Sequence, residues 1–323
     1  MENMLQKSYF SELSKDIIET LLIDRTTKKH LLWATNIYGR RGYRANDNIP
    51  IEALTYERGS IIKPRVEKSK AEIQKRTKDK GEVFTPSWLC NAQNNLVDEG
   101  WFGHKAPFNT ETENDWVVNR DRVVFSNEKG KSWHDYVNAT QLEVCCGEAP
   151  YLVSRYDSVS GDMIPVERRI GLLDRKLRVV NENTQTDEEW LEYATRAYKS
   201  VYGYEWQGDN VVIARENLLY TFIDYYLLRY NVMPEESVLS EISKIISWNI
   251  WQMDGMKFVV PNSCQTMKVM QYSLFGTEES IIKCEGCEKS NIHKHNGIYC
   301  MVKDWVKNRN IPFISLLSDT IKR

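Results

Sequence analysis

The stretch TQLEVCCGEAPYLVSRY, residues 140–156, decides the fold. The expected strand carries an acid, Glu143, at its end, a turn of small residues follows around Gly147, and a helical segment is expected to begin after it. Such a turn lets backbone amides approach a ligand in a doubly wound sheet, because glycine places no side chain in the way. The stretch therefore predicts the first strand and turn of an α/β domain, with an ordinary strand-to-helix turn as the alternative.

The chain beyond this turn continues the alternation of strands and helices. A capping box at Thr186 and Glu189 predicts a helix that runs to about Tyr202. The segment SVYGYEW, residues 200–206, predicts a second strand, and Asp209 is the expected N-cap of a long amphipathic helix. The apolar side of that helix comprises Val212, Ile213, Leu219, Phe222, Ile223 and Tyr226. Strand, helix, strand, helix predicts a parallel sheet.

The N-terminal part has a different character. Residues 1–80 are expected to form an extension with a helix at Ser11–Leu22 and a strand or buried turn at Leu31–Ala34. The main domain is expected to span residues 81–323. Its predicted insertions lie at 101–142 and 153–200.

A basic segment leads into the main domain. Residues 63–80, KPRVEKSKAEIQKRTKDK, contain eight Lys or Arg and three acids. A solvated helix face is the plain interpretation. The alternative is an arm that contacts phosphates beside a ligand pocket.

Composition limits the class of protein. With 323 residues, of which 41% are apolar, the chain can bury a large core, and disorder is excluded. Its 43 basic and 45 acidic residues give a net charge of −2, so a nucleic-acid surface would need local clustering. No signal peptide or membrane span is predicted, and seven cysteines, an odd number, suggest reduced thiols, so we expect a cytoplasmic protein with no membrane partner.

The turn resembles the first motif of gamma-class adenine-N6 DNA methyltransferases and of the modification (M) subunits of restriction-modification systems, Asp-Pro-x-x-Gly-x-Gly-x-Phe-Leu. Glu143 stands for the acid, Gly147 matches the first glycine, Ala149 replaces the second, and Tyr151–Leu152 match the aromatic-aliphatic pair. The resemblance implies a class I S-adenosylmethionine-dependent methyltransferase fold with a Rossmann-like doubly wound sheet. It places the methionine part of S-adenosylmethionine at Glu143 and the backbone of Gly147, and it assigns Cys145 and Tyr151 to the cofactor site.

Two further motifs flank the turn. GEVFTP, residues 81–86, resembles the family's Gly-x-x-x-Thr-Pro element and implies cofactor contacts for Phe84, Thr85 and Pro86. Downstream, YGYEW followed by Ala-Arg-Glu-Asn-Leu at 214–218 is similar to the second motif, whose acid binds the ribose. The resemblance then assigns Glu205 to the ribose hydroxyls and Trp206 to the same site.

The spacing leaves an alternative for the ribose ligand. Glu143 and Glu205 are 62 residues apart, whereas a simple unit places the ribose acid about 20 residues beyond the turn. A helical insertion must separate them, and Asp174 is the competing candidate. A third resemblance, ISWNIWQMDGMKFVVP at 246–261, implies that Asp254 contacts the adenine of the cofactor.

The catalytic loop of the family has no counterpart in this sequence. Adenine-N6 enzymes carry [Asp/Asn/Ser]-Pro-Pro-[Tyr/Phe/Trp] after the fourth strand to hold the flipped base. None of the nine prolines here is followed by another proline. The nearest candidate for the fourth strand is 311–317, followed by Ser318 without an aromatic neighbour. The catalytic residues are therefore unknown.

The segment KCEGCEKSNIHKHNGIYC, residues 283–300, predicts a structural zinc knuckle. A Cys-x-x-Cys pair presents two thiolates to one tetrahedral ion, and later Cys or His residues close the site. The predicted ligands are Cys284, Cys287, His295 and Cys300, with His293 as the alternative histidine. Unligated cysteines are the competing interpretation.

The resemblance covers residues 63–260, 198 of the 323 residues. It implies an S-adenosylmethionine-binding subunit of a restriction-modification or phage-defence system, with DNA and a second subunit as partners. The second subunit would complete the catalytic loop. The alternatives are a catalytically inactive DNA-binding or regulatory subunit and a zinc-stabilised interaction protein.

Overall fold

The computed structural model describes residues 13–54, 61–273 and 276–320 as a mixed α/β structure. Ser11, the expected start of the first helix, lies outside the described residues. The helices are α1 Lys15–Leu22, α2 Lys70–Lys80, α3 Ser87–Phe102, α4 Trp133–Asn138, α5 Leu172–Asn183, α6 Asp187–Ser200, α7 Gly208–Tyr230, α8 Glu236–Asn249, α9 Glu285–Glu288 and α10 Ser315–Thr320. The strands are β1 Asn109–Thr112, β2 Asp115–Val118, β3 Gln141–Val144, β4 Val201–Glu205, β5 Ile250–Gln252, β6 Met267–Ser273, β7 Gly276–Ile282, β8 Met301–Asp304 and β9 Arg309–Pro312.

A parallel sheet in the order β3-β4-β5 organises the chain. Helices α5 and α6 connect β3 to β4, and α7 and α8 connect β4 to β5. The predicted parallel α/β arrangement is confirmed at this level. The two helices α5 and α6 also account for the long spacing between Glu143 and Glu205. Because the strands are parallel, both acids lie at the same end of the sheet, where the strands have their carboxyl ends.

The structure confirms the predicted N-terminal cap of α6 but not that of α7. The side chain of Thr186 accepts a hydrogen bond from the Glu189 amide at 3.2 Å, which is the predicted cap of α6. The expected N-cap at Asp209 is wrong, since α7 begins at Gly208 and Gln207 is its N-cap. The helix therefore starts two residues earlier than expected, and its first residue is pressed against the N-terminal segment, because a Cβ at Gly208 would lie 1.9 Å from the Leu32 carbonyl oxygen.

The helices on one face of the sheet and the N-terminal segment pack together in a common hydrophobic core. Helix α1 buries its apolar side in the same cluster as α7 and α8. Arg215 of α7 is fully buried and donates to four backbone carbonyls. These belong to Leu21, Ile23, Ser247 and Ile250. Residues 31–34 form no regular strand, but Leu32 makes an isolated bridge to Asn48.

The other face of the sheet is partly covered by the antiparallel hairpin β8–β9. The predicted fourth strand at 311–317 is therefore wrong. Strand β9 ends at Pro312 and pairs with β8 instead of adding to the parallel sheet. The reason is packing: the Phe313 ring lies over the face of the sheet, 5.3 Å from the Trp251 ring and 6.0 Å from that of Tyr204. Ser318 lies in α10.

The remaining elements are small additions. The insertion at 101–142 contains the hairpin β1–β2, helix α4 and the start of β3. Strands β6 and β7 form a third antiparallel pair, which precedes the Cys-x-x-Cys pair. Within the described part of the chain, the helices are too short or too polar to cross a lipid bilayer.

Candidate functional site

A cavity of about 410 Å³ lies at the carboxyl ends of the three parallel strands. It is formed by segments from four distant parts of the sequence. The structure brings eight of the predicted cofactor residues to its wall. They are Phe84, Thr85, Glu143, Cys145, Gly147, Tyr151, Glu205 and Trp206. Parallel α/β sheets typically bind their ligands at the carboxyl ends of the strands, which is where this cavity lies.

The turn after β3 has an unusual backbone. Cys145, Gly147 and Ala149 all have positive φ angles, of 52°, 53° and 64°. Left-handed conformation is costly for residues with a Cβ and clusters at ligand-binding segments. The Cys146 amide donates to the Tyr204 carbonyl oxygen at 2.9 Å, which anchors the turn to β4. The turn is thus held in a strained, open shape.

Glu143 lies beneath this turn. Its carboxylate accepts hydrogen bonds from the amides of Tyr151 at 3.4 Å and Leu152 at 3.2 Å. Burial raises the pKa of Glu143 to about 8, against the effect of these two amides, and the charge of nearby Glu205 adds to the rise. At neutral pH this carboxyl group is therefore largely protonated in the absence of a cation.

Glu205 closes the turn from the end of β4. Its carboxylate accepts from the Gly147 amide and from the Gln207 amide, each at 3.1 Å. Burial raises the pKa of Glu205, while the two amides oppose the rise. The acid predicted for the ribose thus also joins the strand end to the glycine turn.

Gln207 is a wall residue that the sequence patterns do not single out. Its Nε2 donates to Glu82 at 2.8 Å, which orients the amide, and its buried Oε1 has no hydrogen-bond partner among the described residues. A buried acceptor without a partner is unfavourable unless a ligand or water satisfies it. Three acids, Glu82, Glu143 and Glu205, face one basic residue, Lys80, around the cavity. The lining suits a ligand that carries positive charge.

The GEVFTP segment is brought to the cavity only in part. The Phe84 ring is buried next to Gly147 and lies 5.2 Å from the Arg65 guanidinium. Pro86 is the N-cap of α3 and lines a neighbouring cavity instead. The first amide of α3, on Ser87, donates to the Asp157 carboxylate at 2.6 Å. This helix end therefore holds a carboxylate of the chain itself.

Asp254 also lies away from the cavity wall, although its neighbours Met253 and Gly255 line it. Its carboxylate accepts from the Met256 amide at 3.0 Å and pairs with Lys257 at 3.4 Å. The side chain thus stabilises its own turn after β5. A Cβ at Gly255 would lie 2.8 Å from the Tyr204 ring, which explains the glycine.

Of the two candidates for the ribose acid, only Glu205 lines this cavity. Asp174 lies in the first turn of α5, where it accepts from the amides of Ser154 at 2.8 Å and Gly171 at 3.1 Å. Burial raises the pKa of Asp174 to about 6. Asp174 lies at a helix end, away from the carboxyl ends of the strands. The geometry therefore favours Glu205 as the candidate for the ribose ligand.

The basic segment is only partly a solvated face. Arg76 of α2 is buried and donates to Asp209 at 2.8 Å and Glu82 at 2.7 Å, and Lys68 lies 3.7 Å from Asp209. Burial opposes the charge of Asp209, but Arg76 and Lys68 outweigh it and hold the pKa of Asp209 below its ordinary value. The exposed basic side chains remain on the outside of the segment. They are those of Lys63, Lys70, Lys75, Lys78 and Lys80.

A second site lies around the base of the β6–β7 hairpin. Cys264, Cys284, Cys287 and His295 have ligand atoms that all lie within 4.8 Å of one another, and the four residues could hold a metal ion. The Nδ1 atom of His295 lies 3.6 Å from each of the three sulfur atoms. In a tetrahedral zinc site with bond lengths of about 2.3 Å to sulfur and 2.0–2.1 Å to nitrogen, this separation is also about 3.6 Å.

The surrounding backbone supports the cluster. The Asn296 amide donates to the Cys284 sulfur at 3.3 Å. Burial acts to raise the pKa of the Cys284 thiol, but this bond and the Cys287 amide outweigh it and lower that pKa to about 6. A Cβ at Gly286 would lie 2.6 Å from the His295 backbone nitrogen, so only glycine allows this approach.

Two of the predicted metal residues must be corrected. Cys300 is not in the cluster; it is buried after the hairpin, and its sulfur lies 3.4 Å from the Gln252 carbonyl oxygen. The fourth ligand position is taken by Cys264, which the Cys-x-x-Cys pattern does not include because it lies 20 residues before Cys284. The exposed alternative, His293, is also outside the cluster.

Comparison with known proteins adds no relative: no protein-family model, no curated protein and no solved structure matches the chain. The interpretation of both sites therefore depends on their geometry. Apart from Gln207, the residues that the sequence patterns miss include Glu82, Asn210, Met253 and Cys264. The first three lie within or beside the motifs but match none of their characteristic positions. Cys264 is the one that a wider search upstream for a third thiol would find.

Proposed function

We propose that the chain is an S-adenosylmethionine-binding subunit of an adenine-N6 DNA methyltransferase of a restriction-modification or phage-defence system. The observation that carries the proposal is the meeting of three motif segments in one cavity. Residues 84–85, 143–151 and 205–206 are the segments that the sequence resemblance assigns to the cofactor, and they form one wall at the carboxyl ends of β3 and β4.

The backbone of the turn gives independent support. The resembled motif has glycine at the positions of Gly147 and Ala149, and both residues here have left-handed backbone, with φ of 53° and 64°. This is the conformation for which glycine is normally selected. The turn therefore has the shape of the glycine motif even where the second glycine is replaced.

The chemistry of the wall fits the proposed ligand. S-adenosylmethionine carries a sulfonium and an ammonium group, which suit the acidic lining around Glu143 and Glu205. The unpartnered Oε1 of Gln207 offers an acceptor for an amino or hydroxyl group. When bound, the cofactor would supply the methyl group, and the residues of this chain would orient it.

The cysteine and histidine cluster completes the proposal as a structural zinc site. Four protein ligands leave no open position for substrate, which is typical of structural zinc. Its role would be to fix the β6–β7 hairpin to the rest of the C-terminal segment. Cys264 precedes this hairpin and Cys284 follows it.

The missing catalytic loop defines the second half of the proposal. A partner chain would supply the residues that hold the flipped adenine. The exposed lysines of α2 lie on the segment that leads to the cavity, with Lys80 in its wall, and could contact DNA phosphates. The alternative, an inactive regulatory or DNA-binding subunit, is favoured by the same missing loop.

The proposal is tested by calorimetric titration of the purified chain with S-adenosylmethionine. We expect saturable one-to-one binding, strongly weakened in Glu205→Ala and retained in the control Glu192→Ala, a variant of an exposed acid on α6. Absence of binding to the correctly folded chain would contradict the proposal.

Methyl transfer separates the two functional alternatives. The chain is mixed with the product of the neighbouring gene, DNA and isotopically labelled cofactor. Transfer to adenine that requires both chains supports the split enzyme. Cofactor binding without transfer in any combination supports the regulatory subunit.

A further inference from the structure

The parallel sheet has an open edge. Strand β3 pairs with β4 on one side only. In residues 13–54, 61–273 and 276–320, no backbone hydrogen bond reaches residues 141–144 from the other side. Unpaired backbone groups along a strand edge are a ready template for another extended segment.

The side chains beside this edge are also uncovered. Leu142 is 42% exposed and Val144 is 59% exposed, whereas Trp251, on the same face of the sheet at β5, is only 2% exposed. The strands of a parallel sheet are normally buried on both faces. The hairpin β8–β9 therefore covers one half of this face and leaves the β3 half open.

The open half is a groove of about 610 Å³. It is larger than the cavity of about 410 Å³ at the carboxyl ends of the strands, which is the proposed cofactor cavity. Its floor is apolar and comes from the sheet and the hairpin. The floor residues are Leu142, Tyr202, Trp251, Val302, Ile311 and Phe313. A contiguous apolar depression of this kind is typical of an interaction surface.

The rim of the groove is positively charged. Arg196, Lys199 and Lys303 face a single acid, Asp304. The ammonium groups of Lys199 and Lys303 lie 5.5 Å and 5.8 Å from the Trp305 ring, and within the described part of the chain neither has a carboxylate partner. Two unpaired ammonium groups favour an acidic partner.

We propose that the edge of β3 and this groove bind an extended segment of a second, different polypeptide. The segment adds a strand beside β3, places alternate apolar side chains on Leu142 and Val144, and carries acidic residues opposite Lys199 and Lys303. A second copy of this chain fits less well, because pairing of two β3 edges would bring the same basic rims together.

The position of the edge connects this surface to the cofactor cavity. Val144 lines that cavity, so one end of the added strand reaches its mouth. A partner bound here could therefore place residues beside the cofactor. Only this connection rests on the proposed function; the docking surface depends on the sheet alone.

A displayed library of random peptides, selected on the purified full-length chain, tests the proposal. We expect enriched peptides with alternating apolar residues and acidic flanks. Bound peptide should slow hydrogen exchange of the amides at 141–144. Affinity should fall at least about tenfold in Leu142→Lys and in Lys303→Glu, through lost apolar contact and reversed charge.

The control is Val232→Lys, since Val232 is 58% exposed and lies away from the groove. It should bind the peptides like the unchanged chain. Thermal unfolding verifies that each variant folds. Leu142 does not line the cofactor cavity, so Leu142→Lys should still bind S-adenosylmethionine, and loss of peptide binding is distinguishable from failure of the cofactor proposal.

Three results would overturn the inference. One is a selection that yields no peptide dependent on Leu142. Another is peptide binding that leaves exchange at β3 unchanged. The third is a dimer of the chain, seen by light scattering, that Leu142→Lys dissociates, since the occupant would then be a second copy.

Discussion

The cavity at the carboxyl ends of the parallel strands and the cluster of three cysteines and one histidine are built in opposite ways. The cavity is assembled from segments between residues 80 and 255, and its acids already hold the backbone of the turn. The four residues of the cluster lie between Cys264 and His295, and the atoms that could bind a metal ion lie close to one another. The cavity can therefore keep its shape without a ligand, whereas we expect the cluster to gain its stability from an ion.

The largest effect should come from the cluster. We expect about one zinc ion per chain in the purified protein and nearly none in Cys287→Ala, because three ligands bind a structural ion far more weakly than four. Elemental analysis by mass spectrometry measures the content. The matched control is Cys300→Ala, which should keep its zinc because Cys300 is outside the cluster. Equal loss in both variants would contradict the assigned ligands.

The next effect tests the cavity. Glu205→Ala removes the acceptor of two amides and the predicted ribose ligand, and it should weaken S-adenosylmethionine binding by about 100-fold, or about 3 kcal/mol. Calorimetry measures the affinity. The zinc content should be unchanged. A variant that loses zinc together with the cofactor would show that the two regions are not independent.

A single methyl group should disturb the cluster. Gly286→Ala places a Cβ 2.6 Å from the His295 backbone nitrogen, so the loop must shift, at about 1–3 kcal/mol. We expect faster zinc release to a chelator. Gly100→Ala, in an open part of α3 with no atom within 4 Å, serves as the control and should leave release unchanged. Unchanged release from Gly286→Ala would mean that the loop adapts freely.

A pH dependence at Glu143 should have the smallest effect for a change of one pH unit. Its pKa of about 8 lies above the ordinary value of 4.5, so the folded chain binds more protons than the unfolded chain between these values. This contribution to the free energy of unfolding is complete below pH 4.5 and is lost as pH rises through 8, at up to about 1.4 kcal/mol per pH unit. Denaturant unfolding should show a weaker decline with pH in Glu143→Gln.

Cofactor binding should have the opposite pH dependence. A cationic ligand favours the ionised form of Glu143, so affinity should increase by up to about tenfold per pH unit as the pH approaches 8. Calorimetry at several pH values measures it. Glu143→Gln should remove most of the slope. A slope that persists in this variant would assign the titration to another group.

Local signals make part of this molecule predictable. The cap at Thr186 and the alternation of parallel strands with helices depend on neighbouring residues, and the sequence predicts both correctly. The helix expected directly after the Gly147 turn is wrong, since the next α-helix begins at Leu172. Cys284, Cys287 and His295 are found because a Cys-x-x-Cys pair is a compact pattern. These features require no knowledge of how distant segments pack.

The errors concern long-range packing. Cys300 and Cys264 are equally plausible thiols in sequence, and only the course of the hairpin decides that Cys264 meets the cluster. The apolar run at 311–317 resembles a sheet strand, but Phe313 packs on the face of the sheet and not at its edge. Gln207 and Glu82 belong to the cavity through contacts that no spacing rule predicts.

Hydrogen exchange with and without S-adenosylmethionine tests the central claim most directly, because it reports both regions in one measurement. We expect the cofactor to slow exchange at residues 81–86, 145–152 and 205–208, which surround the cavity, and to leave residues 284–295 unchanged. Exchange that stays the same around the turn at saturating cofactor, or protection confined to the metal cluster, would contradict the assignment of this cavity.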